Sequence, residues 1–315
     1  MKHVFIVNPA AGRRDQTELI RQKLADFPEY DWEVYVTRQV SDATRYVRDW
    51  CSLHSEPVRF YACGGDGTLN EVVNGAYGFP QAAVSCYPCG SGNDFVKYYG
   101  GTGRFLDIKQ LLDAPEQSID LLRVGGRFSV NMVNFGFDTT VARTMEKMRR
   151  SRLFGGKRAY YVGILRALLV AMKTGCLVQA DGELLNDGQI LLCSAANGSH
   201  VGGSFCPAPR ARNDDGWMEV CLVRPLRRIS FLRLVKHYAN GTHLTSEQCR
   251  PYLVYRRAKH LKVSNGRDFA IILDGEIVAG NDFDIDIVPR AIRFAVPGSP
   301  AVGETSVPAA VQAGR

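Results

Sequence analysis

Cys63-Gly64-Gly65-Asp66-Gly67-Thr68-Leu69-Asn70-Glu71 follows an apolar run, Val58 to Ala62, that reads as a buried strand. It leads into Leu69, Val72, Val73 and Ala76, spaced for one face of a helix. The glycines therefore fall at a strand-to-helix turn, where the first amides of the helix lack partners within it. Such a turn suits an anion: bare N–H groups, the positive end of the helix dipole, and no side chains to block a phosphate. Asp66 complicates that reading, because a carboxylate repels phosphate unless a cation lies between them or the Asp bonds backbone amides. The stretch reads as a nucleotide site that also handles Mg²⁺. The alternative is an ordinary tight turn, since Gly and Asp both favour turns.

On both sides of this turn strand and helix signals alternate. Val4 to Val7 is an apolar strand ending in Asn8-Pro9-Ala10-Ala11-Gly12-Arg13, and a helix follows from about Thr17 with Ile20, Leu24 and Phe27 on one face. Asp31 to Thr37 alternates as a strand does. Ser41 is placed to cap a helix burying Ala43, Val47, Trp50 and Cys51. Ala82 to Tyr87 is another apolar strand, followed by a second Gly-rich turn, Cys89-Gly90-Ser91-Gly92-Asn93-Asp94, and a short helix over Phe95 to Tyr99. This alternation predicts an α/β domain with a doubly wound, mostly parallel sheet. Ligands bind such sheets at the carboxyl ends of the strands, so the three loops are expected to converge on one crevice.

From about Ile119 the pattern changes. Ile119 to Val124, Gly125-Gly126 and Phe128 to Asn134 read as a hairpin, and a helix-rich interval runs from Asp138 to Lys173. The runs Leu177–Ala180, Gln189–Ala195, Trp217–Val223, His260–Ser264, Phe269–Leu273 and Phe283–Val288 are β-like and punctuated by Gly, Asn and Asp. They predict a C-terminal antiparallel β-sandwich. The division expected is 1–125 for the α/β domain, 126–297 for the sandwich and 298–315 for a disordered tail. Ala291 to Val296 remains free to return to the first domain.

At 315 residues two domains are the default, and 45% hydrophobic with 23% charged residues is ordinary globular composition. No apolar run spans a bilayer; Val162 to Met172 is short and carries Arg166. The N-terminus has no signal-peptide plan, and nine scattered cysteines, an odd number, argue against a complete disulfide framework. A reducing cytoplasm is the expected setting. Cys86-Tyr87-Pro88-Cys89 has CxxC spacing but no second pair to complete a zinc site. The net charge of +7 permits nucleotides, acidic lipid surfaces or nucleic acid. No helix-turn-helix, zinc-finger or RNP-like pattern is present, so no nucleic-acid partner is expected.

Neither a GxxxxGK[ST] P-loop nor GxGxxG after a first strand occurs, so the three loops hold a triphosphate by another route. Arg13 stands beside the first loop, and Lys97 lies one helical turn past the third. Thr37, at a strand end, is placed either to hydrogen-bond a nucleotide or to serve the sheet edge. Asn8-Pro9-Ala10-Ala11-Gly12, Gly64 to Glu71, and Pro88-Cys89-Gly90-Ser91-Gly92-Asn93-Asp94-Phe95, in this order, resemble the soluble bacterial diacylglycerol kinase and lipid kinase family, relatives of sphingosine and ceramide kinases. Asn134-Phe135-Gly136-Phe137-Asp138, Gly202-Gly203 with Pro207, Ala208 and Asn213-Asp214-Asp215-Gly216-Trp217, and Leu273-Asp274-Gly275-Glu276 extend the resemblance over nearly the whole chain.

The resemblance implies an ATP-binding catalytic domain over 1–125, a lipid and metal domain over 126–297, and an active site in the cleft between them. By position it assigns Asn8, Pro9, Ala10, Ala11, Gly12, Thr37, Gly65, Asp66, Gly67, Thr68, Leu69, Asn70, Glu71 and Ser91 to ATP. It assigns a structural Mg²⁺ to the Asp215 side chain with backbone oxygens of Arg212 and Trp217. A tight acidic turn supplies the oxygen ligands Mg²⁺ takes; a hairpin turn with a solvated acidic pair is the alternative. Ser91 stands where Thr is usual, and Lys97 where Arg is common, which keeps the charge but loses bidentate geometry. Arg212 and Asn213 precede Asp214, which leaves the backbone ligand the less secure assignment.

Phosphoryl transfer needs positioning and neutralised charge more than covalent chemistry. The expected reaction moves the γ-phosphate of ATP to a lipid hydroxyl, diacylglycerol giving phosphatidic acid, with Asp66 organising metal or water and Asp274 or Glu276 taking the proton. Residues two apart in an extended chain share a face, so both carboxylates are expected to line one cleft; the alternative is a plain hairpin turn. The resemblance makes Glu276 the proton-acceptor position and Asp274 its partner. Sphingoid, phosphatidylglycerol-type and NAD acceptors stay open, as does a nucleotide-binding module without turnover. Lys147, Arg149, Arg150, Arg152, Lys157 and Arg158 around Leu153 and Phe154, before the apolar Tyr160 to Met172, fit peripheral docking on an anionic membrane or a solvated helix face. A homodimer is compatible with all of this.

Overall fold

β1 (Lys2–Val7), β2 (Trp32–Val36), β3 (Val58–Gly64) and β4 (Ala82–Pro88) pair in parallel in the order β2-β1-β3-β4. The computed structural model that shows this describes residues 1–149 and 157–298. β3 and β4 are buried along their whole length, as apolar strands of a parallel sheet covered on both faces are. The cover comes from α1 (Thr17–Ala25), which buries Ile20 and Leu24, α2 (Asp42–Leu53), which buries Val47 and Trp50, and α3 (Asp66–Ala76), which buries Leu69, Val72 and Val73. The short α4 (Ile108–Leu112) closes this part of the core with Leu111.

The loops that leave the carboxyl ends of β1, β3 and β4 meet. A Cβ on Gly12, already at φ +73°, would lie 2.2 Å from the Cys89 carbonyl oxygen, and one on Gly90 would lie 2.3 Å from the Gly65 Cα. Only glycine allows these backbones to approach so closely. The predicted Ser41 cap is replaced: Ser41 precedes α2 at φ +64° and its side chain makes no cap. Glu71 of α3 does so instead, with Oε1 accepting from the Ser41 N–H at 2.9 Å and Oε2 from the Ala43 N–H at 3.2 Å. A carboxylate at the positive end of a helix does the work of a local hydroxyl.

β5 (Glu116–Val124) and β6 (Arg127–Ser129) form a hairpin, followed by β7 (Met132–Gly136), α5 (Phe137–Arg149) and α6 (Lys157–Val170). Then come the short strands β8 (Thr174–Gly175), β9 (Leu177–Ala180), β10 (Glu183–Leu184) and β11 (Gln189–Ile190). β12 (Leu192–Ala196), β13 (Met218–Val223), α7 (Arg228–Ala239), β14 (Leu253–Ala258), β15 (His260–Leu273) and β16 (Glu276–Ala295) complete the chain. The order β14-β13-β12-β7-β15-β16 wraps as a sandwich-like domain around Val133, Phe135, Val178, Val220, Leu261, Ile271 and Ile285. Its last strand leaves it again. β16 runs antiparallel to β15 and β5, then pairs Arg293 and Phe294 in parallel with Ala83 and Val84 of β4. One continuous sheet therefore joins both halves.

α7 and β14 have no counterpart in the sequence expectations, which named strands on either side, Trp217–Val223 and His260–Ser264, and nothing between them. The signal for α7 was there: Phe231, Val235 and Tyr238 recur at helical spacing and face one cavity. Arg150, Arg152, Leu153 and Phe154 of the basic stretch lie outside the described residues, as does the 298–315 tail beyond Gly298.

Because Glu71 caps α2 from a neighbouring helix, Glu71→Ala is expected to lower stability by about 1 kcal/mol, read as an earlier urea midpoint. An unchanged midpoint would remove the capping role.

Candidate active site

Leu273 and Glu276 pair across the end of β15 and β16, so Asp274 and Gly275 form the two-residue corner of a hairpin. Both take positive φ, 45° and 97°, as the Asp-Gly type I′ turn requires. The turn, not a shared strand face, sets where Asp274 and Glu276 point, yet both line one cavity, as the sequence led one to expect. Asp274 is buried, and its carboxylate accepts from five donors: Ser129 Oγ at 2.7 Å, the N–H groups of Val130, Asn131 and Met132 at 2.7, 3.1 and 2.9 Å, and Asn70 Nδ2 at 2.8 Å. Burial raises its pKa above the ordinary value and these hydrogen bonds oppose the rise. A carboxylate offers about four lone-pair sites, so these five donors fill its acceptor capacity. Glu276 differs. Its side chain is 42% exposed, with Arg127 Nη1 3.5 Å away.

In the glycine crevice, Asp66 turns inward. Its Oδ1 accepts from the N–H groups of Asp94 at 2.7 Å and Phe95 at 3.1 Å, which ties the second loop to the third. Burial, and then the neighbouring Asp94 carboxylate, push the Asp66 pKa up to about 6. Asp94 in turn accepts from Lys97 Nζ at 2.5 Å and from the Gly203 N–H at 3.0 Å, and Lys97 Nζ also reaches the Gly203 carbonyl at 2.7 Å. Gly202 and Gly203, at φ +62° and +80°, belong to the sandwich half, so this latch holds the two halves together at the crevice.

The expected nucleotide residues separate into two groups. Ala10, Gly12, Gly67 and Ser91 are exposed at the rim, with Asn8, Pro9, Ala11, Thr37, Gly65 and Asp66 half-buried beside them. Asn8 shapes the first loop, accepting from the Ala10 N–H at 3.0 Å and donating to Thr68 Oγ1 at 3.1 Å. Thr37 Oγ1 donates to the Val7 carbonyl at 3.3 Å, a strand-edge bond. Leu69 is in the core, Asn70 Nδ2 is spent on Phe128 O and Asp274, and Glu71 caps α2. These three support the cradle from behind, and their side chains are not turned to a nucleotide.

The acidic turn packs behind the helix that follows the third loop: Asn213 Nδ2 donates to Tyr99 Oη at 2.7 Å. Asp215 accepts from the Trp217 N–H at 3.1 Å and from the Arg257 guanidinium. Arg212 Nε lies 3.5 Å from Asp214, and Asp120 accepts from the N–H groups of Gly216 and Arg290. Burial raises the Asp120 pKa and Asp215 and Asp214 add to it, while Arg257 and Arg212 stand against those two acids. Among the described residues no group of three or more His, Cys, Asp and Glu is gathered as a metal cage. One carboxylate with nearby carbonyls offers oxygens of the kind Mg²⁺ takes together with waters, but in this structure Arg257 and the Trp217 N–H occupy the Asp215 carboxylate.

The crevice opens into a cavity of ≈ 1070 Å³ between α5, α6 and α7. Asp66, Asp94, Asp274, Gly275 and Glu276 supply its acidic lining; Phe137, Ile164, Leu168, Phe231, Val235 and Tyr238 are among its apolar lining. Its size is at the upper end for small-molecule sites, about 300–1,000 Å³. Asp138, in α5, lines it with no hydrogen-bond partner among the described residues, and burial pushes its carboxyl up to about 7. The Asn134 to Asp138 segment was noted in the sequence, but nothing local to it showed that its acid would stand in an apolar chamber.

A glycine-lined anion crevice that feeds an apolar chamber is the layout of an enzyme that brings a nucleotide to an apolar substrate. Residues 2–124 match the diacylglycerol kinase catalytic domain, and residues 131–296 the YegS C-terminal NAD kinase beta sandwich-like domain. The chain belongs to this lipid kinase family, whose members are ATP-using transferases. A "Probable lipid kinase YegS-like" of Pseudomonas aeruginosa is 30% identical over 300 residues, covering 93% of this chain and 95% of that one. The diacylglycerol kinase of Bacillus subtilis is 26% identical over 282 residues, covering 86% and 88%. A solved diacylglycerol kinase structure from Bacillus anthracis has a TM-score of 0.69 at 19% identity, over 94% and 97% of the two chains, and shares the fold. Among the described residues no helix is long and apolar enough to cross a membrane.

Two outcomes follow from these carboxylates. Asp274→Ala leaves five buried donors without their acceptor, and a loss of roughly 3 kcal/mol or more is expected from the denaturant midpoint. Asp138, held near pH 7, favours the fold when protonated, so that stability is complete below its unfolded pKa of about 4 and is lost as pH rises through about 7. The Tm of Asp138→Asn relative to the parent is therefore expected to climb between about pH 4 and pH 7 and to level off above that. A pH-independent difference would contradict it.

Proposed function

We propose that the protein transfers the γ-phosphoryl group of ATP to a lipid hydroxyl, with diacylglycerol as acceptor and phosphatidic acid as product. The observation that carries this is the continuity of the cavity: the chamber that is apolar over Phe137, Ile164 and Phe231 ends on Asp66, Asp94 and Glu276 beside the glycine crevice. An acyl-bearing acceptor would bury its chains there and bring its hydroxyl to the polar end. NAD, polar throughout, suits this lining poorly. Sphingoid and phosphatidylglycerol-type lipids are the competing acceptors.

In this reading the open amides at the start of α3, that of Gly12 and those of Ser91 to Asn93 cradle the phosphates of ATP, while the Ala10, Ala11 and Gly90 amides are spent holding their own turns. Asp66 and Asp94 hold the loops in register, and the Asp66 carboxylate bonds amides instead of standing free. Glu276 takes the proton of the lipid hydroxyl, being accessible and at the junction of crevice and cavity. Asp274 is a positioning residue that fixes the turn carrying Glu276, which departs from its expected share in proton transfer. Asp215 would hold Mg²⁺ with backbone oxygens of Arg212 and Trp217. When bound, the ion supplies the positive charge that this acidic turn and the anionic substrate call for. A cytoplasmic enzyme working at a membrane face is the setting implied.

The test is transfer of labelled phosphate to a panel of diacylglycerol, sphingoid base, ceramide, phosphatidylglycerol and NAD. Diacylglycerol is expected to be labelled fastest, and Glu276→Gln to lower kcat by about 10²–10⁴ while Tm holds. Full turnover in Glu276→Gln sinks the proton-acceptor assignment. Asp215→Asn is expected to abolish the rise in Tm that Mg²⁺ gives the parent protein; an undiminished rise places the ion elsewhere.

A further inference from the structure

Among the described residues fourteen large hydrophobic side chains are prominently exposed, and seven of them, Tyr161, Val162, Leu165, Leu169, Val170, Ile229 and Leu232, lie on α6 and α7. The two helices form one face: Arg228, in the first turn of α7, donates to the Leu168 and Leu169 carbonyls near the end of α6. Soluble surfaces seldom gather apolar residues in this way without a purpose. The face also borders the cavity, because Tyr161 and Leu232 are 68% and 60% exposed and at the same time line the chamber.

The charge around this ridge has one sign. No Asp or Glu occurs from residue 147 to 180 or from residue 220 to 246. Arg166, Lys173, Arg227, Arg228, Arg233 and Lys236 are all exposed there. Helices with apolar residues outward and basic residues alongside lie in the headgroup region of a bilayer, where anionic lipid attracts them.

We infer that the α6–α7 face is a docking surface for an anionic bilayer, and that it sets the mouth of the cavity against the lipid from which the acceptor is drawn. The inference rests on the lipid kinase reading and adds to it the route of the substrate. It keeps the apolar Tyr160 to Met172 segment of the expected contact and adds α7 to it. α6 and α7 enter the headgroup layer by Leu165, Leu169 and Ile229, Arg233 and Lys236 meet lipid phosphates, and an acyl chain passes between Tyr161 and Leu232.

The experiment is co-sedimentation of the full chain with phosphatidylcholine vesicles with and without phosphatidylglycerol, using Arg233→Glu/Lys236→Glu and Leu165→Ser/Leu169→Ser variants. The parent is expected to bind the phosphatidylglycerol vesicles, less so at high salt, and each double variant to bind them about tenfold more weakly. Phosphorylation of detergent-dispersed diacylglycerol by both variants is expected to match the parent. Vesicle binding by the variants equal to the parent's overturns the docking surface. So does a shift from dimer to monomer in the leucine variant, by sedimentation velocity, with vesicle binding retained, for the ridge is then an interface between copies. A parent that binds the vesicles but phosphorylates no dispersed lipid leaves the docking surface standing and refutes the kinase reading instead.

Discussion

One buried carboxylate holds this molecule's two halves in register. Asp274 sits at the corner of the hairpin between β15 and β16 and gathers donors from α3, through Asn70, and from the β6–β7 connection, through Ser129, Val130, Asn131 and Met132. A charged acceptor strengthens each of these bonds, and burial makes their loss costly. The helix that opens the glycine crevice, the start of the sandwich and the turn bearing Glu276 thus share one point.

The crevice shows the same economy. Asp66 bridges two loops by accepting amides, and Asp94 bridges the two halves by accepting from Lys97 and Gly203. Both carboxylates lie at the polar end of the cavity, so the framework that shapes the crevice is also its source of negative charge. Asp138 stands apart, because apolar surroundings and not a partner hold its proton.

Much of the first half was legible. Val58 to Gly64 and Ala82 to Pro88 are apolar throughout, and only a covered parallel strand buries every residue of such a run. The glycines at 12, 65 and 90 marked close backbone approaches that the structure contains. α7 was less legible because its ridge is exposed on one side and its other face lines a chamber, which leaves no simple core stripe. The role of Glu71 was illegible for a different reason: a cap supplied by another helix leaves no mark near the residues it caps.

Local sequence therefore determined the strand-to-helix turns, their glycines and the order of the motifs, because backbone sterics and hydrophobic periodicity act over a few residues. Which carboxylate is free and which is spent was decided only in the folded chain. Asp274 and Glu276 are two residues apart, yet one collects donors from segments more than a hundred residues away while the other meets solvent and Arg127. The cavity likewise exists only where α5, α6 and α7 close over the crevice. Its shape, and hence its choice of lipid, is a property of packing among distant segments, which no stretch of sequence carries alone.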